Sequence, residues 1–214
     1  MIERFDRLPP ARGSAFVRRV HQEDMCQALG LMPGAKYQQD GGPGIQDIVA
    51  LIRRVSSNPE DDVYRFIDAN AFNWLIGGTD AHAKNYSLLI AADNQIRLSP
   101  LYDLSSQLPY PELIDQRLAM KIGDEYNIPL IGFSEWQALA SACSIDSEML
   151  MSRLRQLADA LPDAVSAAHD QALSEGLDRE VVTTLAKLLI QHAKVRRATL
   201  NAAPSRRRRL RKEP

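Results

Sequence analysis

A buried helix that runs into a polar loop and then a hairpin is the pattern that most constrains how this chain folds. Asn58 suits a helix N-cap and Pro59 a first turn, and Gly77-Gly78 ends the predicted helix. Apolar residues recur along it at helical spacing, namely Val63, Phe66, Ile67, Ala71, Trp74 and Leu75. The loop therefore follows a rigid element, as the loop of a catalytic site requires.

The loop at residues 79–85 reads TDAHAKN and brings together a carboxylate, an imidazole, an ammonium and an amide. Phosphoryl transfer uses a carboxylate that accepts the proton of the attacking hydroxyl, and oxygen ligands that hold Mg²⁺ on the phosphates. Asp80 and Asn85 have the spacing of Asp and Asn in the HRDxxxxN pattern of protein kinases, and Asp103 follows the predicted hairpin. The pattern predicts Asp80 as the base, Asn85 as a metal ligand and Asp103 as the main metal ligand.

Two further loop side chains are candidate cations. Lys84, or a protonated His82, would offset the negative charge of the transferring phosphoryl group. Each loop residue also has an ordinary structural explanation, because Asp is a common cap and Asn and His are common in loops. For Asp103 the structural alternative is a cap of the next turn.

The rest of the chain is predicted to be mainly α, with a few short hairpin strands. The predicted helices are Gln22 to Leu29, Gly44 to Arg54, Ser134 to Ala142, Ser147 to Leu161, Pro162 to Glu175 and Asp178 to Ala202. The predicted strands are Ile2 to Arg7, Phe16 to Val20, Tyr86 to Ala91 and Ile96 to Leu98. The stretch from Leu104 to Arg117 is predicted to be irregular.

Charge is unevenly distributed along the chain. The sequence has 26 basic and 27 acidic residues, but residues 205–214 contain six basic residues and one acidic, which leaves −6 on the rest. A solvated tail is the ordinary explanation of such a run, and contact with nucleic-acid phosphates is the functional alternative. Cys26 and Cys143 lack metal-binding spacing and are predicted to be packing residues in a reducing cytoplasm. No apolar stretch in the sequence is long enough to predict a membrane span.

Eight segments, in the same order, resemble the HipA family of bacterial serine/threonine kinases. They read ERFDR at 3–7, QEDMCQ at 22–27, KY at 36–37, DGGPG at 40–44, FNWLIG at 72–77, TDAHAKN at 79–85, PLYD at 100–103 and LAMKIG at 118–123. The helical remainder resembles the C-terminal lobe of the family more loosely. The resemblance implies the C-terminal lobe of a protein-kinase-like fold over residues 1–203, followed by a disordered basic tail at residues 204–214.

The resemblance assigns catalytic roles to the same loop. Asp80 matches the catalytic base, and Asn85 and Asp103 match the Mg²⁺ ligands and contact the nucleotide through the metal. His82 and Lys84 match residues of a loop that contacts the nucleotide. ATP and Mg²⁺ are therefore the implied cofactors.

Further nucleotide contacts are implied near the start of the chain. Glu3 and Phe5 match a hinge whose backbone meets adenine, and Asp6 matches a position near the ribose. Gln22 lies in a stretch that faces the same cleft, and Tyr102 of the LYD segment is assigned to the nucleotide-binding set.

The implied activity is transfer of the γ-phosphate of ATP to a Ser or Thr of a protein such as an aminoacyl-tRNA synthetase. Family members are commonly toxins that a HipB-type helix-turn-helix antitoxin restrains. The family's Gly/Ser-containing phosphate loop and ATP-binding lysine precede the ERFD segment and are not found in this sequence. We therefore expect a separately encoded N-terminal lobe as a partner, with DNA contacted only weakly or indirectly through the basic tail.

Two other interpretations remain open at the sequence level. One is a truncated pseudokinase that binds an antitoxin or a substrate without catalysis, since the phosphate loop and lysine of the ATP clamp are not found. The other is a degraded fragment, which would expose apolar surface along the cleft wall.

Overall fold

The computed structural model describes residues 4–10, 13, 15–110 and 116–201. The chain divides into two compact units, one of residues 1–70 and 80–104 and the other of residues 71–79 and 105–214. Helices dominate, and all the strand pairs are antiparallel and short, as the sequence predicts. The basic tail predicted at residues 204–214 lies outside the described residues.

In its described residues, the first unit contains two α-helices, the start of a third, short 3₁₀ turns and two small sheets. Its elements are β1 (Arg7–Leu8), β2 (Arg18–Arg19), β3 (His21–Asp24), α1 (Met25–Ala28), α2 (Ile45–Val55), the N-terminal part of α3 (Pro59–Ile76), β4 (Ser87–Ile90) and β5 (Ile96–Leu98). Strand β1 pairs with β2, and β4 lies between β3 and β5 in a three-stranded sheet. In that sheet Asp24 pairs with Ser87, so β3 ends beside the start of β4.

The buried face of α3 is the one that its sequence predicts. Val63, Phe66 and Ile67 are fully buried in the first unit, where the ring of Tyr86 lies 4.8 Å from that of Phe66. Each such side chain stabilises the fold by about 1.5–3 kcal/mol through burial. The same face continues in the second unit with buried Ala71, Trp74 and Leu75, so α3 contributes to both cores.

Two predictions near the start of the chain are wrong. The predicted helix from Gln22 to Leu29 is a strand as far as Asp24 and only then a helix, because residues 21–24 hydrogen-bond to β4. Asp24 caps the helical turn, and Gln27 closes a capping box with it. The predicted strand at Ile2 to Arg7 is a turn at Phe5 and Asp6, with residues 1–3 outside the described part.

The second unit combines one hairpin with three helices and the end of α3. Its further elements are β6 (Arg117–Ile122), β7 (Glu125–Asn127), α4 (Phe133–Ala142), α5 (Ser147–Ser174) and α6 (Arg179–Asn201). The indole rings of Trp74 and Trp136 meet edge to face in its core with centroids 5.7 Å apart. Helices α5 and α6 pack against each other in antiparallel fashion, with His169 bonded to Thr183 and Arg197 to Asp159.

Two corrections concern this unit. Pro162, predicted to begin a new helix, lies inside the continuous α5, where a proline costs about 3 kcal/mol relative to alanine. Burial of the neighbouring Leu154, Ala158 and Leu161 offsets that cost. The β6–β7 hairpin was not predicted, because Leu118, Ala119 and Met120 are buried in succession and show no alternation of apolar and polar residues.

The two cysteines, Cys26 and Cys143, are buried, as expected of packing residues, and no disulfide joins them. Among the described residues, no helix combines the length and the apolar character needed to cross a lipid bilayer.

Candidate active site

The loop after α3 folds back on itself through its own hydrogen bonds. The backbone N–H of His82 donates to the carbonyl of Asp80 at 2.8 Å, and the N–H of Asn85 donates to the carbonyl of His82 at 2.9 Å. The side-chain amide of Asn85 also donates to the carbonyl of Asp80 at 3.2 Å. The spacing of five residues from Asp80 to Asn85 thus closes a compact loop that ends in a 3₁₀ turn at Ala83–Asn85.

Asn85 and Asp103 lie side by side. The Nδ2 atom of Asn85 donates to Oδ2 of Asp103 at 3.0 Å, and Asn85 is buried whereas Asp103 is exposed. The backbone of Asp103 has a φ of 56°, a left-handed conformation that Asp tolerates better than most residues. The Oδ1 atoms of both side chains accept no hydrogen bond from the described part of the chain.

This donor set fits Mg²⁺ bound together with phosphate groups. Mg²⁺ takes six oxygens and in phosphotransfer sites keeps water and phosphate ligands beside one or two protein carboxylates. Asn85 and Asp103 offer one amide oxygen and one carboxylate. No group of three or more His, Cys, Asp or Glu residues suited to a metal occurs among the described residues, so an all-protein cage is not formed by them.

The carboxylate of Asp80 is exposed and held at one oxygen only. Tyr37 donates from its hydroxyl to Oδ1 of Asp80 at 2.6 Å. This hydrogen bond, followed by burial, raises the pKa of Tyr37 to about 12. Oδ2 of Asp80 accepts no hydrogen bond from the described residues, so it is available to accept a proton from a bound hydroxyl.

His82 is neutral at physiological pH. Burial lowers its pKa, and the positive charge of Lys36 lowers it further. The Nζ of Lys36 donates to Nε2 of His82 at 3.0 Å, so the ring proton lies on Nδ1, which is buried without a partner in the described part of the chain. A protonated His82 as the charge-offsetting cation stays a prediction that this lowered pKa disfavours, and the positive charge beside the ring is that of Lys36.

Lys36 and Tyr37 contact the loop from outside it, and no role was predicted for either from the sequence. We call this pair the brace of the loop. Besides its bond to His82, Lys36 accepts the N–H of Ala83 at its carbonyl, at 3.2 Å. The ring of Tyr37 contacts that of His82 edge to face at 5.1 Å. The signal in the sequence was the presence of this pair among the segments that resemble the HipA family.

Lys84 points to a different partner. Its ammonium donates to Asp24 at 2.9 Å, and this hydrogen bond raises the pKa of Lys84. The carbonyl of Lys84 accepts from the hydroxyl of Tyr102 at 2.8 Å. The nucleotide contact predicted for Lys84 stays a prediction, while its charge is already balanced within the chain.

Three of the residues predicted to contact the nucleotide form one cluster. Gln22 donates from its amide to the hydroxyl of Ser87 at 3.0 Å, and that hydroxyl is hydrogen-bonded to Tyr102. The ring of Phe5 stacks near that of Tyr102, with centroids 6.2 Å apart. Phe5, Gln22 and Tyr102 are thus brought together with the loop that carries Lys84.

Asp6 is engaged elsewhere. Arg4 donates to both oxygens of its buried carboxylate at 2.9 and 2.8 Å, and Arg7 donates to it as well. The hydrogen bond from Arg4 lowers the pKa of Asp6 to about 2. The contact of Asp6 with a ribose stays a prediction, and it would require Arg4 or Arg7 to release the carboxylate. Glu3, also predicted to contact the nucleotide, lies outside the described residues.

Comparison with known proteins identifies the family. The sequence model of the HipA-like C-terminal domain family matches residues 1–165 of this chain. The chain belongs to this family. The resemblance of the eight sequence segments to HipA proteins is thereby confirmed.

Similar proteins and structures extend the match. Y4mE of Sinorhizobium fredii is 36% identical over 200 residues, which are 94% of this chain and 47% of Y4mE. The serine/threonine-protein kinase toxin HipA of Shewanella oneidensis is 33% identical over 177 residues, which are 77% of this chain and 40% of that protein. The chain therefore spans about half the length of the curated relatives it matches.

A solved structure confirms the predicted fold class. The complex of Shewanella oneidensis HipA with HipB and its operator DNA matches with a TM-score of 0.75 and 28% identity, over 90% of this chain and 47% of the other. The chain thus has the mainly helical fold of the C-terminal part of HipA.

Proposed function

We propose that this chain is the catalytic lobe of a HipA-type serine/threonine protein kinase. The observation that carries the proposal is the exposed Asp80, held at one oxygen by Tyr37 with its other oxygen open, in the same loop as the Asn85–Asp103 pair. A proton acceptor beside oxygen ligands for a divalent cation is what phosphoryl transfer to a hydroxyl needs.

In the proposed reaction, Oδ2 of Asp80 accepts the proton of a serine or threonine hydroxyl on the protein substrate. The hydroxyl oxygen forms a bond to the γ-phosphorus of ATP, while the bond from that phosphorus to the β-phosphate oxygen breaks and ADP leaves. Asn85 and Asp103 would hold Mg²⁺, which neutralises charge on the phosphates when it is bound. Tyr37 keeps the Asp80 carboxylate oriented throughout.

The nucleotide would contact the cluster of Phe5, Gln22 and Tyr102 and the loop residues His82 and Lys84. The neutral His82 has a buried Nδ1 proton with no partner among the described residues, which is a donor for a nucleotide oxygen. Lys36, hydrogen-bonded to the same ring, supplies positive charge where the loop would meet the phosphates.

The proposed partners follow from the relatives. Shewanella oneidensis HipA is solved with HipB and operator DNA, and we infer that a HipB-like antitoxin binds this chain. The substrate would be a protein such as an aminoacyl-tRNA synthetase, and the cytoplasm is the proposed location. The chain spans about half of its relatives, and we propose that phosphate transfer also needs an N-terminal lobe with a phosphate loop and a lysine.

The decisive experiment is transfer of radiolabelled phosphate from ATP, in the presence of Mg²⁺, to protein by the chain combined with an N-terminal HipA lobe. We expect transfer by the pair and its loss in Asp80→Asn. Asp163→Asn is the matched control, since Asp163 is exposed on α5. Absence of transfer by the pair, or equal transfer by Asp80→Asn, contradicts the proposal.

A binding module without catalysis is the second candidate. It is favoured by one observation, that Asp6 and Lys84, both predicted to contact the nucleotide, are each paired with a charged residue of the chain itself. Calorimetry of the isolated chain with Mg²⁺ and ATP tests it. Binding with a micromolar dissociation constant counts against this candidate, and no binding supports it.

A further inference from the structure

A cavity of about 180 Å³ lies wholly within the second unit. It is lined by polar and apolar residues from the end of α3, the segment after Asp103, the β6–β7 region and α6. They include Thr79, Gln107, Leu108, Gln116, His192 and Arg196. One buried water needs about 30 Å³ of liquid volume, so the cavity has room for a small polar group.

Arg196 is the charged residue of this cavity, and only 7% of it is exposed. Its Nη1 donates to the carbonyl of Ile128 at 2.7 Å. The Nε atom is buried and has no acceptor, and no ion pair joins Arg196 to another described residue. Burial lowers the pKa of Arg196, and no anionic group opposes this effect.

A guanidinium in such surroundings is costly. A buried charge is normally paired or fully hydrogen-bonded, because desolvation costs several kcal/mol per ion. With Nη1 occupied by Ile128 and Nε fully buried, Nη2 is the guanidinium nitrogen left to donate to an oxygen of a carboxylate or phosphate. The side-chain amides of Gln107 and Gln116 and the hydroxyl of Thr79 line the same space and can donate to such a group.

His192 adds no competing charge to the cavity. Its Nε2 donates to the carbonyl of Trp74 at 3.1 Å, and burial lowers its pKa, so the ring is neutral at physiological pH. Arg196 is then the single source of charge among the described lining residues. The electrostatic character of the cavity is that of a site for a monovalent or divalent anion.

We propose that this cavity binds an oxyanion, a carboxylate or a phosphate group, which accepts a hydrogen bond from Nη2 of Arg196. None of the lining residues is among those assigned to phosphoryl transfer, although Thr79 directly precedes Asp80 in the chain. Anion binding can be measured without ATP, so its test is independent of the proposed kinase activity.

The test is thermal unfolding of the full chain in inorganic phosphate, acetate or chloride at equal ionic strength and without ATP. We expect phosphate or acetate to raise the midpoint saturably, by about 3 °C at ten times the dissociation constant, and chloride to have no such effect. The stronger of the two anions identifies the group as a phosphate or a carboxylate. Equal midpoints in all three salts overturn the proposal.

Variants of neighbouring arginines locate the effect. Arg196→Met should abolish the anion-dependent rise, and Arg196→Lys, which keeps the charge but loses the planar guanidinium, should weaken binding at least about tenfold. Arg197→Met is the matched control, because Arg197 is exposed and paired with Asp159, and it should keep the rise. An unchanged rise in Arg196→Lys overturns the proposal even where Arg196→Met fails to fold.

The chain also has carboxylates at Glu112 and Asp115, outside the described residues. The double variant Glu112→Gln, Asp115→Asn removes both carboxylates. It therefore distinguishes binding of an added anion from pairing of Arg196 with a carboxylate of the chain itself. An anion-dependent rise that is the same in the native chain and in the double variant supports the proposal. A rise that occurs only in the double variant overturns it, because the chain would then supply its own carboxylate.

Discussion

Asp62 and Asp80 belong to the same unit, and they hold their carboxylates in opposite ways. Asp62, in the first turn of α3, is fully buried and accepts hydrogen bonds at both oxygens. Its donors are Ser56 at 2.6 Å, Arg65 at 3.1 Å, Arg97 at 3.0 Å from two nitrogens, and the N–H of Leu98 at 2.9 Å. Asp80 is exposed and accepts a single described side-chain bond, from Tyr37.

The difference separates a structural carboxylate from the one that we propose as the proton acceptor. Burial alone would oppose ionisation of Asp62, but the hydrogen bonds from Arg97 and Ser56 outweigh it and hold its pKa below the usual value. Through Arg97 and Leu98 this carboxylate fastens β5 to the start of α3. Asp80 has an unbonded oxygen, and that oxygen is what a proton acceptor needs.

The largest expected effect concerns catalysis by Asp80. In the kinase assay, Asp80→Asn should lower the rate of phosphate transfer about a thousandfold, equivalent to ~4 kcal/mol in the barrier, because the amide cannot accept the proton. The free energy of unfolding should change by less than about 0.5 kcal/mol, as expected at an exposed site. A large loss of stability in this variant would show that Asp80, like Asp62, stabilises the fold.

The next effect is on stability at Asp62. Asp62→Ala should lower the free energy of unfolding by about 3 kcal/mol, because four donor groups lose a buried acceptor. Urea denaturation measures this change. Asp61→Ala is the control, since Asp61 is half exposed and pairs with Arg97, and it should cost less than about 1 kcal/mol. Equal losses in the two variants would show that burial of Asp62 is unimportant.

A smaller effect is expected at Tyr37. Tyr37→Phe removes the hydroxyl that orients Asp80 and keeps the ring against His82. The kcat of phosphate transfer should fall about tenfold, and the KM for ATP should be unchanged, because the carboxylate remains but is less well placed. Steady-state kinetics test this expectation. A raised KM with unchanged kcat would mean that Tyr37 serves nucleotide binding instead.

The smallest effect is a change of acid sensitivity. Because the folded-state pKa of Asp62 is below its usual value of 3.8, its contribution to stability is complete above that value and is lost as the pH falls through the folded-state pKa. The free energy of unfolding of the native chain should therefore drop more steeply below about pH 4 than that of Asp62→Ala. Urea titrations at several pH values measure both slopes, and parallel slopes would contradict the assignment.

Local signals in the sequence were sufficient to predict the elements whose apolar residues recur at regular spacing. The limits of α3 follow from Pro59 and from Gly77-Gly78, and the hairpin of β4 and β5 follows from its turn residues. The loop between them was located correctly, and its residues lie within hydrogen-bonding distance of one another. What each of these residues does in the reaction stays a prediction.

Long-range contacts account for what the sequence did not reveal. Residues 22–24 were predicted as helix, but they pair with β4 more than 60 residues further along the chain. The partner of Asp80 is Tyr37, 43 residues earlier, and no periodicity connects the two positions. From the sequence, Asp62 is only a favourable charge in the first turn of a helix, whereas its main partners, Arg97 and Leu98, come from β5.

The backbone of the brace of Lys36 and Tyr37 leaves no room for a side chain at Gly42. The N–H of Gly42 donates to the carbonyl of Tyr37 at 2.9 Å, and a Cβ atom at Gly42 would lie 2.7 Å from that oxygen and 2.5 Å from the carbonyl of Ala35. An alanine there must push the backbone that presents the hydroxyl to Asp80. We therefore expect a screen for inactive variants to recover changes at residue 42 as well as in the motif itself.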